Sequence, residues 1–173
     1  MKPKTRIAGI IIQDGKILMK DKIIIYTDGA ARKNPGPAGW GVVLINGKSV
    51  FEFGGASKHA TNNQMELMAP IEALKYLHKN RLNMPIEIFS DSKYVILGIT
   101  EWIFNWQKKN WRNAAKKPVL NKELWEELYK LTQRFKIKWI YVEGHNDNKY
   151  NDRADEIATN FADGIKIKLR KEK

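Results

Sequence analysis

Apolar residues in this chain switch between unbroken runs, alternation and helical spacing, and the switches mark out its elements. Ile23, Ile24, Ile25 and Tyr26 form an unbroken run, the pattern of a central strand covered on both faces. The run stops at Thr27-Asp28-Gly29, and residues 30–41, rich in Gly, Pro and Asn, read as a loop. Residues 41–45 and 49–53 predict two more strands joined by the turn Asn46-Gly47. Helical spacing takes over after Thr61, with Met65, Met68, Ile71, Leu74 and Leu77 in a stripe at three- and four-residue intervals. Thr61 and Gln64 predict a capping box at the start of that helix, with Glu66 in its first turn and its end near Asn80. A strand over 86–89 stops at Ser90-Asp91-Ser92. Short helices follow over 93–98 and 100–108, then a helix from Asn121 as N-cap to about 134, a strand over 136–142 and a helix over 151–163. This order predicts an α/β domain, a mixed five-stranded sheet flanked by helices.

Residues 1–22 stand apart as an N-terminal extension. A basic leader precedes a β-prone stretch over 6–12, the turn signal Asp14-Gly15 and a return over 16–19, which together predict a hairpin. Residues 164–173 form a basic tail expected to fray. No repeat or linker divides residues 23–163.

Composition narrows the function. With 173 residues, 43% hydrophobic and 29% charged, the chain suits one globular domain. It has no cysteine, which excludes disulfides and thiolate metal sites and favours an intracellular, cytoplasmic protein. No apolar run approaches the roughly 20 residues that cross a bilayer, and no signal-peptide pattern opens the chain, so no membrane partner is expected. The net charge of +12 favours a polyanionic partner, most simply nucleic acid.

Against that positive background, four carboxylates draw notice. Asp28 and Asp91 each end an apolar strand, where open α/β sheets commonly bind ligands. Glu66 and Asp155 lie near the starts of two helices. Taken singly, each has a plain structural use, as a turn cap or as a charge favoured by a helix dipole. Four converging together would repel one another unless cations neutralised them, and oxygen-only ligands suit Mg²⁺ or Mn²⁺. Paired ions at such a site can activate water against a phosphodiester.

At these residues the chain resembles the type 1 ribonuclease H family. The resemblance covers roughly residues 23–163 and rests on four blocks in the family's order: YTDGAARKNPGPAGWG (26–41), TNNQMELMA (61–69), SDSKYVILGITEW (90–102) and GHNDNKYNDRADEIA (144–158). It implies a ribonuclease H-like fold and a monomeric endonuclease that hydrolyses the RNA strand of RNA–DNA hybrids. Two Mg²⁺ ions, replaceable by Mn²⁺, would be held by Asp28, Glu66, Asp91 and Asp155, leaving 5′-phosphate and 3′-hydroxyl ends. His145 matches a mobile loop histidine that assists proton transfer or product release. The N-terminal hairpin resembles the opening of Nudix hydrolases, but no glutamate-rich box follows and no activity carries over.

The resemblance also implies how substrate is gripped. Asn34, Asn62 and Asn63 match residues that contact the hybrid's minor groove, where an amide can both donate and accept. Thr61 and Asn121 match a pocket for a DNA-strand phosphate, with His59 where many relatives carry arginine. Trp102, Trp111, Lys108, Lys109, Arg112, Lys116 and Lys117 match a basic protrusion along the DNA strand, with Trp106 expected mainly to pack. Two other readings stay open on sequence alone: a catalytically silent hybrid-binding module, and the same fold cutting DNA or double-stranded RNA.

Overall fold

The computed structural model describes residues 5–7, 10–13 and 16–20 by backbone alone, and 22–144 and 147–171 in full. A five-stranded mixed sheet forms the body, in the order β6-β5-β4-β7-β8. Its strands are β4 (Ile23–Ala31), β5 (Gly36–Asn46), β6 (Ser49–Ala60), β7 (Ile86–Ser90) and β8 (Ile137–Tyr141). Strand β5 runs antiparallel to β4 and β6 on either side of it, whereas β4, β7 and β8 are mutually parallel. Strands β1 (Thr5–Ile7), β2 (Ile10–Gln13) and β3 (Lys16–Lys20) form a separate antiparallel sheet. The β-prone stretch over 6–12 is thus divided between two strands, while Asp14 and Gly15 lie outside the described residues.

The apolar run of β4 is explained by cover on both faces. Ile23 and Ile25 join a core with Leu67, Ile71, Leu74 and Leu77 of helix α1 (Asn62–Lys79). Tyr26 turns to the other face, against Val43, Ala154 and Ile157, the last two from helix α5 (Lys149–Asp163). Helix α4 (Lys122–Thr132) packs outside α1 and contributes Trp125, Leu128 and Leu131 to the first core.

The expected loop over 30–41 is mostly strand. Only residues 32–35 turn, and Ala31 already pairs with Ala38. The glycines there serve close packing rather than a turn. A methyl on Gly39 would strike the carbonyl of Ala158, and one on Gly41 the carbonyl of Ala154. At these two positions strand β5 therefore lets α5 reach its backbone, supplemented by Gly54 of β6 under Phe161.

Helix α1 begins as expected, with Thr61 as N-cap and Gln64 completing the capping box. Glu66, however, is the helix's fifth residue, and no acidic residue lies in the first turn. The dipole explanation for Glu66 weakens accordingly, because that effect fades beyond the first turn. Pro70 sits buried inside the helix, and its missing N–H removes the helical bond to the carbonyl of Glu66. The two short helices predicted after Asp91 are one path: α2 (Lys93–Leu97), a π-helical turn (Gly98–Trp102) and α3 (Ile103–Lys108). Gly98, at the start of the π turn, lies directly against the indole of Trp125, where a side chain would collide.

Two terminal expectations change. Asn121 occupies the N-cap position of α4 but is left-handed (φ 59°) and makes no capping bond; its amide donates to Tyr94 Oη at 3.1 Å. The tail is docked rather than frayed as far as residue 171. The Arg170 N–H donates to Glu52 Oε2 at 2.9 Å, and the Glu52 N–H donates to the Arg170 carbonyl at 2.8 Å. Ile167 and Leu169 pack on the α5 side of the sheet. Burial pushes the Glu52 carboxyl up, but hydrogen bonds from Arg153 and Arg170, with their charges, outweigh it and hold the group below its ordinary value.

Because α5 approaches β5 at backbone distance, Gly41→Ala is expected to destabilise the protein by about 1–3 kcal/mol through overpacking. Thermal unfolding should show a fall of roughly 2–4 °C per kcal/mol for a chain of this size. An unchanged midpoint would mean that α5 has room to move.

Candidate active site

Strand register brings the first two carboxylates level. In the parallel pair β4–β7, Tyr26 lies opposite Phe89, so Asp28 and Asp91 each fall two residues beyond the last matched pair. Both stand where the chain order of the sheet reverses: Asp91 directly follows β7, whereas Asp28 lies within β4, which continues to Ala31 in pairing with β5 beyond the point expected from the sequence. Gly29, next to Asp28, lets α1 approach so closely that a methyl there would strike the backbone at Met65 and Glu66. Gly41 lies opposite Asp28 on β5 and seats Ala154, the residue before Asp155. Two glycines thus deliver one helix to each side of Asp28.

Asp28, Glu66 and Asp91 each place a carboxylate oxygen within 4.8 Å of the other two. Asp155 lies outside that triangle, but it helps to push the Asp28 carboxyl up. Asp28 and Glu66 are only 5% and 6% exposed. Burial, reinforced by the charges of Asp91 and Asp155 and opposed by the Gly29 N–H, pushes Asp28 up to about 8. Burial, with Asp28 and Asp91 as further causes, holds Glu66 well above the ordinary glutamate value. Both directions describe negative charge without its counter-charge. Glu66 Oε2 is also buried without a hydrogen-bond partner. An all-oxygen, desolvated and partly unsatisfied donor set fits a hard divalent cation.

Asn151 is a site residue that the sequence reading missed. It is 1% exposed, and its Nδ2 donates to Asp91 Oδ2 at 3.1 Å while its Oδ1 has no partner. A signal was present: Asn151 precedes Asp155 by four residues, which puts both on one face of a helix. A methyl on Gly144 would come within 2.9 Å of the same oxygen of Asp91 and push on it.

The RNase H family model matches residues 20–163. The chain belongs to the RNase H family. It is 48% identical over 144 residues to a ribonuclease H of Erythrobacter litoralis (strain HTCC2594), across 82% of this chain and 96% of the relative. With a ribonuclease H of Hahella chejuensis (strain KCTC 2396) it shares 50% identity over 134 residues, across 78% and 88% of the two chains. Among solved structures it is similar to LC11-RNase H1 in complex with an RNA/DNA hybrid, with TM-score 0.62, 28% identity and coverage of 82% and 97%.

The remaining predicted positions of this RNase H chain fall into three groups. At the start of α1, Asn34 Oδ1 accepts the Asn62 N–H at 2.8 Å, and Asn62 Nδ2 reaches Glu66 Oε1 at 3.4 Å. Asn34 therefore adjoins the carboxylates through Asn62, and Asn63 is exposed beside it. His59 is exposed near the end of β6. Asn121 is bonded to Tyr94 rather than to Thr61 or His59. Along the protrusion, Lys108, Lys109, Arg112, Lys116 and Lys117 are exposed and, among the described residues, without an ion-pair partner. Trp102, Trp106 and Trp111 form a ladder, with centroid separations of 5.9 and 6.3 Å. Trp106 and Trp111 pack on the core, so Trp111 shares the packing role expected of Trp106 alone. His145 lies outside the described residues.

The buried carboxylates set a testable pH dependence for the metal-free protein. A folded-state value of about 8 against 3.8 means that Asp28 contributes little penalty at pH 4 and progressively destabilises the fold as pH rises towards 8. Asp28→Asn should therefore raise the unfolding midpoint in EDTA at pH 8, by about 4–8 °C for a relief on the order of 2 kcal/mol, and change it little at pH 4. Equal midpoints for the two proteins at pH 8 would remove the strain assigned to Asp28.

Proposed function

We propose that this chain hydrolyses the RNA strand of RNA–DNA hybrids, using divalent cations held by Asp28, Glu66, Asp91 and Asp155. The observation that carries the reading is the desolvated carboxylate cluster at the sheet's switch point, in a chain of net charge +12. An acidic cluster is costly for a protein that only binds polyanions, because it repels phosphate. Its membership of the RNase H family, and the hybrid named in the LC11-RNase H1 complex, supply the substrate class. Bound at these carboxylates, two Mg²⁺ ions (or Mn²⁺) supply Lewis-acid charge and a more acidic water, with 5′-phosphate and 3′-hydroxyl ends as products.

The chain's own groups do the rest. Asn151 holds one oxygen of Asp91, which fixes how that carboxylate presents its other oxygen. The Asn34 carbonyl is engaged by the Asn62 N–H, leaving its amide N–H groups for the minor groove. Glu66, joined to Asn62, would help to hold the metal and would lie against an RNA 2′-hydroxyl. Thr61, Asn121 and His59 hold a DNA-strand phosphate, Asn63 reads the minor groove, and His145 assists proton transfer or product release around the scissile phosphate. Trp102 meets DNA-strand sugar. Lys108, Lys109, Arg112, Lys116 and Lys117, flanking Trp111, supply affinity without sequence choice.

Labelled hybrid, DNA duplex and RNA duplex incubated side by side with Mg²⁺ test this directly. The RNA of the hybrid should be cut and the other strands left intact; binding without cleavage would reject the enzyme. Asp28→Asn should keep hybrid binding but lose at least about a hundredfold in cleavage, as expected for several kcal/mol of charge stabilisation. His145→Ala should slow the reaction by about a hundredfold without abolishing it. Neutralising Lys108, Lys109, Lys116 and Lys117 should weaken binding and flatten its salt slope by about one for each phosphate no longer neutralised. An unchanged slope would take the protrusion out of the interface.

A further inference from the structure

The docked tail lies beyond the residues matched by the RNase H family model, and its anchor is unusual. The Glu52 side chain, in the edge strand β6, has no exposed surface. It accepts from Arg153 Nε at 3.1 Å and Nη2 at 2.9 Å, and from the Arg170 N–H at 2.9 Å. The Arg170 guanidinium approaches it at 3.3 Å, and Arg153 Nη2 also donates to the Lys168 carbonyl at 2.7 Å. An edge strand, helix α5 and the tail therefore meet on a single buried carboxylate. Forked arginine–carboxylate pairs of this kind are both strong and demanding in geometry.

Gly39, Gly41 and Gly54 let α5 approach the sheet at backbone distance, and Tyr26 and Val43 pack against its Ala154 and Ile157. The fork on Arg153 adds to that apolar contact a directional tie that fixes the helix along its own axis. Arg153 lies two residues after Asn151 and two before Asp155, so the fork is attached between the residues whose placement matters. The geometry points to Glu52 and Arg170 as positioning residues: the docked tail sets the axial register of α5, and through it the placement of Asn151 on Asp91 and of Asp155 on Asp28. The consequence for cation binding rests on the function proposed above.

Arg170→Pro tests this without altering α5 or the carboxylates, since it removes both the N–H and the guanidinium that reach Glu52. Glu52→Gln keeps the shape and removes the charge. Mn²⁺ affinity is read by calorimetry well below the unfolding midpoint, with folding verified by circular dichroism, and amide hydrogen exchange is read along 149–163. Arg170→Pro is expected to weaken Mn²⁺ binding about tenfold and to speed exchange in α5. Glu52→Gln should act in the same direction, and the double variant should lose less than the sum of the two. Wild-type affinity and exchange in folded Arg170→Pro, or a lowered midpoint alone, would overturn the assignment. If the unaltered protein itself binds no Mn²⁺, the cation-site reading fails, and α5 exchange alone then decides the role of the tail.

Discussion

Mutual repulsion among carboxylates is the constraint around which this molecule is built. Fully ionised charges 4.8 Å apart repel by roughly 3 kcal/mol per pair at an effective dielectric of about 20. Desolvation of Asp28 and Glu66 adds to that cost. The rest of the fold supplies the opposing force. Two apolar cores clamp β4 between α1 and α5, and the glycines beside and opposite Asp28 let both helices come to backbone contact. The acidic end is a local conflict tolerated because the packing beneath it is consistent, the usual pattern at a functional site.

The same constraint gives the surrounding polar groups their order. Asn62 and Asn151 each give an amide hydrogen to a carboxylate of the cluster, Glu66 and Asp91, while the Gly29 N–H goes to Asp28 at 2.8 Å. These donors reduce the repulsion but leave Glu66 Oε2 bare. The lysines and arginines of the protrusion are exposed and, among the described residues, without an ion-pair partner, which leaves their charge to phosphates.

Much of this was legible in the sequence where local chemistry and tertiary packing agree. The capping box of Thr61 and Gln64, the stripe from Met65 to Leu77 and the apolar run of β4 fall where their periods predict. The convergence of Asp28, Glu66 and Asp91 was legible through the four sequence blocks rather than through any one residue. Misreadings occurred where a residue's environment lies far away in the chain. Gly39 and Gly41 carry a turn-like composition, yet their reason is a helix more than a hundred residues later. Asn121 has the chemistry of a cap, but Tyr94 takes its amide. The tail is basic, and its partners, Glu52, Arg153 and the sheet face under Ile167 and Leu169, are distant or unreadable in its own sequence. Asn151 passed unnoticed because amides next to aspartates look like ordinary helix-start polarity.

The course of the tail also bears on the open edge of the sheet. Strand β6 is the sheet's outer strand, and an open outer strand offers its N–H and C=O groups as a template for another chain. Here Arg170 exchanges backbone and side-chain bonds with Glu52 and covers that strand near its start with the protein's own sequence. An incoming strand would have to displace it and leave a buried carboxylate short of partners. The same few bonds that hold a helix in place thus guard the sheet against runaway strand addition.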